Sequence, residues 1–408
     1  MQLSAATNDP VIPDHIPEQV VSDFPLVMGA FTKENPFDTL VREACEGPDA
    51  IYSPNALPVG TGGAWVFRRQ KDLREIYNDA EHFSNKGFTP YAKILEEDWS
   101  LVPAEQDLPE HTFYRQLLNP LFSPKAIADM EDSLRTAAKK WIATFSDSNG
   151  CDFIDKFANR FPITVVLDLM GLPEAKLEEF LVWENQLLQA KTMEEMQEGT
   201  RNVCTYLREV IAERKANPGD DLISFAIKAD VNGRKMTDNE LLGYAFNFYI
   251  GGLDTVTANL GNFMRHLATN IEHQNELRQN PKKIRIAIEE FLRAFSAVTT
   301  VRVCIKEKQI AGVTLKPGDK VWMCTTVPNR DADVYENPHE VILDRNPAHV
   351  TFATGPHHCL GVHLARLELR VALEELLKAL PEFTLEPGCE INSAAGPVIQ
   401  PQSLPLVW

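Results

Sequence analysis

Apolar residues recur at three- and four-residue spacing over Asp129 to Phe145, Pro173 to Gln189, Met196 to Arg214, Asp238 to Gln279, Ile284 to Phe295 and His363 to Leu380. That spacing predicts amphipathic helices, several opened by Asp, Pro or Thr and closed by Gly or Pro. Period-two alternation is confined to Ala64 to Phe67, Val301 to Ile305, and a hairpin around Lys316-Pro317-Gly318-Asp319 that leads into Val321 to Met323. The pattern predicts a mainly α protein with a small β-sheet subdomain. It shows no internal repeat and no alternating βαβ array.

Composition adds a buried core. Of 408 residues, 44% are hydrophobic and 24% charged, and no low-complexity stretch divides the chain, so residues 1–408 read as one domain with an N-terminal arm over 1–26. Asp9, Pro10, Asp14, Pro17 and Glu18 interrupt that arm where an anchor or leader needs a continuous apolar run. The expectation is a cytoplasmic, unanchored protein. A net charge of -18 disfavours nucleic acid and anionic membranes as partners. The seven cysteines lie apart, without the pairing of a disulfide framework.

The sharpest candidate chemistry is Phe352-Ala-Thr-Gly355-Pro-His357-His358-Cys359-Leu-Gly361, a loop that delivers one cysteine just before the His363 helix. A thiolate there is favoured by unpaired backbone N–H groups and the helix dipole. Gly355 permits a tight turn, and Gly361 lets a flat group approach the backbone. Two blander readings compete: a buried free cysteine, or a small metal site made from His357, His358, Cys359 and His363. The ten residues, however, resemble the cytochrome P450 haem loop, F-x-x-G-x-H-x-C-x-G, at every defined position. The resemblance implies a P450 fold, with 352–361 as the haem-thiolate loop, Cys359 as axial ligand of haem b (iron protoporphyrin IX), and His357 as a propionate partner. In that family the thiolate pushes electron density toward bound oxygen.

Other strings join the resemblance in order along the chain. Glu290-Phe-Leu-Arg293 reads by itself as a surface ion pair, but ahead of Asn329-Arg330-Asp331, Pro338 and Asp344-Arg345 it is similar to the family's E-x-x-R motif and meander. Gly251-Gly252-Leu253-Asp254-Thr255 places two glycines in a helix at about 1 kcal/mol each. Its bland reading is close packing, with Thr255 bonding back to Gly251 and Asp254 facing solvent. The resemblance makes it the oxygen-activation motif, with Asp254 as proton shuttle and Thr255 limiting loss of reduced oxygen as peroxide. His111, Arg115 and Arg302 fall where the family places propionate contacts.

The chain is most like the bacterial camphor-hydroxylase branch. That likeness implies O2 as co-substrate, and NADH, a ferredoxin reductase and a [2Fe-2S] ferredoxin as the electron route. Arg74, Arg115 and Arg366, with Lys125, match its ferredoxin-docking positions, and the expected state is a monomer. Trp99 stands where that branch anchors its ketone with a tyrosine, and Asn247 replaces an apolar pocket residue one turn before Gly251. Phe88, Trp99, Gly251, Val298, Pro397 and Val398 suggest an apolar pocket with few polar anchors. The expected activity is hydroxylation of a small terpenoid or norisoprenoid ketone, ionone-like or camphor-like. The alternatives are a haem-thiolate peroxygenase, which fits the intact Asp254-Thr255 pair poorly, and a non-catalytic haem sensor, for which no appended domain is visible.

Overall fold

The computed structural model describes residues 12–57, 62–188, 190 and 192–408. The expected N-terminal arm is thus described only from residue 12, and Gln189 and part of the segment around it lie outside the described residues. The helices that place the site are α1 (Gln70–Asn78), α2 (Glu110–Leu118), α3 (Glu131–Ile142), α4 (Arg160–Leu169), α5 (Leu177–Leu188), α6 (Met193–Ala216), α7 (Asp238–Gly251), α8 (Asp254–Thr269), α9 (Ile271–Gln279), α10 (Ile284–Ala294) and α11 (Val362–Ala379). Among the described residues, no helix is long and apolar enough to cross a membrane.

Periodicity located α3, α5, α6, α10 and α11 within a few residues of their bounds. The continuous helix expected over Asp238 to Gln279 is corrected. It is three helices, broken first at Gly252-Leu253 and again at Asn270. Thr237 starts α7 with a reciprocal capping box: its side chain accepts from the Glu240 amide, and Glu240 accepts from the Thr237 amide at 2.7 Å. At the first break Leu253 takes ψ -78, outside ordinary helix values.

A five-stranded sheet runs Ala50–Ser53, Ala64–Phe67, Lys320–Cys324, Thr299–Cys304 and Phe83–Ser84 in spatial order. The hairpin expected at Lys316 to Asp319 is also corrected. That turn joins strands of different sheets, because Val313–Leu315 pairs with Lys308–Ile310 whereas Lys320–Cys324 pairs with Thr299–Cys304. A separate three-stranded sheet orders Phe31–Thr32, Ser393–Ala395 and Ile399–Pro401.

Helix α8 is buried along nearly its whole length, polar residues included. Two of its polar side chains bond to the three-stranded sheet: Asn262 Nδ2 donates to the Ile399 carbonyl at 2.8 Å, and Arg265 Nη1 to Ser393 Oγ at 3.0 Å. Glycine at 261 allows this approach, since a Cβ there would lie 2.9 Å from the Pro401 ring. Beneath the cysteine loop, Glu290 and Arg293 are 0% exposed, so the surface-pair reading fails. Arg293 donates to both Glu290 oxygens (2.7 and 2.8 Å) and to the carbonyls of Asn329, Pro338 and Glu340, while Arg345 also reaches Glu290 at 3.0 Å. Every N–H of Arg293 has an acceptor and both Glu290 oxygens accept, which is the condition for burying the pair at tolerable cost.

Candidate active site

The 352–361 loop is held at both ends of its turn. Cys359 N–H donates to the Phe352 carbonyl at 3.0 Å, and Gly355 sits at φ +74 with its position of a missing Cβ only 2.5 Å from the Tyr77 carbonyl. Only glycine fits there. The loop brings Cys359, Phe352, His357 and Gly361 to the wall of a cavity of about 350 Å³. A Cβ at Gly361 or at Gly251 would meet no atom within 4 Å, so both backbones face open space from opposite helices. Burial pushes the Cys359 thiol upward and outweighs the Gly361 amide at the helix start and the Arg115 and Arg366 charges, which favour the thiolate. A bound cation supplies that stabilisation when it displaces the proton.

One end of the cavity is cationic. His111, Arg115, Arg302 and His357 all reach it. The two imidazoles stack at 4.0 Å between centroids. Burial, joined by the neighbouring cations, lowers His111 to about 4 and His357 to about 2, so both rings are neutral at pH 7. Arg302 is 6% exposed, lies over the Tyr77 ring and donates to the Val301 carbonyl. Arg115 donates to Asn119 and to the His358 carbonyl. Neither guanidinium has a carboxylate within ion-pair distance among the described residues. Two recessed cations lacking counter-charges, beside a thiol and two open glycine faces, fit a flat dianionic macrocycle held by sulfur. The small-metal alternative is not formed: among the described residues no group of three His, Cys, Asp or Glu side chains is placed to hold an ion.

Across the cavity, Thr255, Gly251, Asn247, Phe88 and Val298 line the wall as anticipated. Thr255 Oγ1 donates to the Gly251 carbonyl at 3.2 Å. Asp254 does not reach this wall and does not face solvent. It is 6% exposed, and its Oδ1 accepts a 2.6 Å hydrogen bond from Gln400 Nε2. Burial raises its carboxyl to about 6, with the Gln400 bond pulling the other way.

Three pocket expectations need correction. Trp99 is 7% exposed, packs on Phe246, and donates its indole N–H to Glu97 at 2.7 Å, and Glu97 also pairs with Arg208 of α6. It ties the loop to α6 and is absent from the cavity wall. Pro397 and Val398 stand behind the wall instead of in it: Pro397 accepts from the Thr299 amide, and Val398 bridges to Val298. Conversely, the sequence reading missed Asn259, Glu368 and Gln400. Asn259 and Glu368 line the cavity, at 7% and 3% exposure, and burial pushes the Glu368 carboxyl well above its usual range. An acidic residue on the apolar face of α11, nine positions after the cysteine, was the available signal.

The expected docking cations gather beside the loop. Arg74 donates to Gln70 and to the Ala348 carbonyl. Arg366 stacks over Phe352 at 4.9 Å, and a bidentate pair with Glu289 at 2.7 and 2.8 Å already compensates its charge. Lys125 is exposed.

The cytochrome P450 family profile matches residues 177–403. The chain is 34% identical over 403 residues to the probable cytochrome P450 127A1 of Sinorhizobium fredii, covering 97% of each. It is 30% identical over 367 residues to the polyketide biosynthesis cytochrome P450 PksS of Bacillus subtilis, covering 86% of this chain and 90% of that one. Among solved structures, cytochrome P450 CYP101C1 superposes with a TM-score of 0.86 at 31% identity, over 98% of this chain and 100% of that one. CYP101J2 does so with a TM-score of 0.84 at 30% identity, over 98% and 99%. The resemblance read from the cysteine loop is thereby borne out: the chain belongs to the cytochrome P450 family, as a monooxygenase of the bacterial kind.

Proposed function

We propose that this monooxygenase hydroxylates a small terpenoid or norisoprenoid ketone, drawing electrons from NADH through a reductase and a [2Fe-2S] ferredoxin. Cys359 would hold the haem iron, and Arg115, Arg302, His111 and His357 would meet its propionates. A thiolate-bound haem supplies the activation of O2 from which one atom enters a C–H bond. The chain's own residues then have three tasks. Phe88, Val298 and Phe248 exclude water from the apolar wall. Thr255, whose resting hydrogen bond is long at 3.2 Å, turns its hydroxyl toward the cavity to hold a proton there. Asp254 picks up protons from outside that wall and passes them to Thr255.

The observation that carries the substrate class is Asn247. Its amide lines the cavity one turn before Gly251 with no hydrogen-bond partner among the described residues, whereas the amide nitrogen of Asn259, also on the wall, already donates to the Thr255 carbonyl. A free donor in a mainly apolar cavity suits a carbonyl on a hydrocarbon body. The test is a titration of the ferric protein with ionone-type and monoterpenoid ketones, their parent hydrocarbons and a macrolide, following the low-to-high spin shift. Asn247→Leu should weaken ketone binding about three- to tenfold and leave the hydrocarbons unchanged. Equal losses for both, or a shift with the macrolide alone, would remove this assignment.

A further inference from the structure

We propose that Gln400 is the positioning residue for proton delivery, its amide holding the Asp254 carboxyl at the start of α8 and partnering it in both protonation states. This rests on the reading of Asp254 as a proton carrier. The two side chains are 5% and 6% exposed and meet at 2.6 Å. Gln400 is fixed by its strand: Ile399 N–H donates to Ala297, the Ile399 carbonyl accepts from Asn262, and Gln400 pairs with Ala394. Among the described residues, its Oε1 is buried without a partner.

That orphan oxygen is informative. When Asp254 is ionised, Nε2 donates to the carboxylate. If Asp254 is protonated, a half-turn of the amide lets Oε1 accept from the acid, and no other hydrogen bond of Oε1 is lost. A lysine or arginine in the same place would favour only the anion and pull the carboxyl far down. A neutral amide leaves it near the working pH, where a proton carrier is most effective. The titratable groups facing Asp254 are Glu184 of α5 and Tyr91 of the Tyr91–Ile94 helix, and burial together with the Asp254 charge pushes both upward. The N-terminus of α8, where Asp254 is the first helical residue, adds a dipole that favours the anion. The strand also reaches the substrate wall, since Val398 bridges to Val298 two residues before Gln400.

The experiment measures turnover against pH, from about 5 to 8.5, for the haem-loaded protein with saturating ferredoxin and substrate. Gln400→Met keeps the bulk and removes the amide, leaving burial opposed by the helix dipole alone, so the inflection should move up by about one pH unit. Gln400→Glu should move it further in the same direction. Substrate affinity and the ligand-induced spin shift should stay within about twofold. In an Asp254→Asn background, Gln400→Met should produce no further change. An unmoved inflection in both variants, each with a normal carbon monoxide difference spectrum, would overturn the proposal, and so would a shift that persists without Asp254. If Asp254→Asn turns over like the parent protein, the proton-carrier reading itself fails, and this one with it.

Discussion

Asp254 and Thr255 are adjacent in sequence and separated in role by which side of α8 each faces. Thr255 reaches the cavity, and Asp254 turns toward the strand at Gln400. The break at Gly252-Leu253 makes this possible, because it frees the Gly251 carbonyl to be met by a hydroxyl at the start of a new helix. Thr255→Ala should leave the carbon monoxide spectrum intact while the fraction of NADH recovered as product falls severalfold and peroxide rises, and coupling equal to wild type would remove its assigned role. Asp254→Asn should slow turnover at least about tenfold with substrate affinity little changed. Steady-state rates beside binding titrations separate the two effects.

Between elements, charge networks fix how helices sit on one another. Arg293 locks α10 to the meander, and replacing it with Met would leave the buried Glu290 with Arg345 as its counter-charge and remove the donor to the Asn329, Pro338 and Glu340 carbonyls. The expected loss is about 3–5 kcal/mol, read as a lowered denaturant midpoint and haem loss. On the other side of α11, Glu131 of α3 is held between Arg370 at 2.5 Å and Arg135 at 2.7 Å, with Arg135 also bonded to Glu374 and Glu375. Arg370 first, then Arg135, lower the Glu131 carboxyl to about 2. A depressed acid binds fewer protons folded than unfolded, so its contribution is complete above its ordinary value near 4.5 and vanishes as pH falls toward 2. Because Glu131 is about one-third exposed, solvent screening limits that contribution to about 1 kcal/mol. Glu131→Gln should therefore lower the thermal midpoint at pH 7 and make no difference near pH 2. An equal effect at both values would exclude the ion pair as its cause.

At the scale of the molecule, a net charge of -18 opposes an acidic electron donor everywhere except where cations are concentrated. Arg74 and Arg115 bond to the 348–358 segment, and Lys125 is exposed. Arg366 is less available, since Glu289 compensates it. Lys125→Glu should reduce the second-order rate of reduction by a [2Fe-2S] ferredoxin about three- to tenfold at low salt, with the difference shrinking as ionic strength rises. A salt-independent loss would point to packing instead of steering.

Local chemistry was legible in the sequence wherever one segment sufficed. The cysteine loop and the helices α3, α5, α6, α10 and α11 follow from motif and periodicity, because backbone sterics and helical spacing act over a few residues, whereas the break inside the Gly-Gly-Leu-Asp-Thr string does not. What needed the folded chain were meetings between distant segments. Trp99 packs on Phe246 of α7 and is absent from the pocket wall, Arg366 lost its free charge to Glu289, and Asp254 gained Gln400 from 146 residues away. A side chain's available hydrogen bonds and its protonation depend on what lies within a few ångströms, and only the tertiary structure sets that distance.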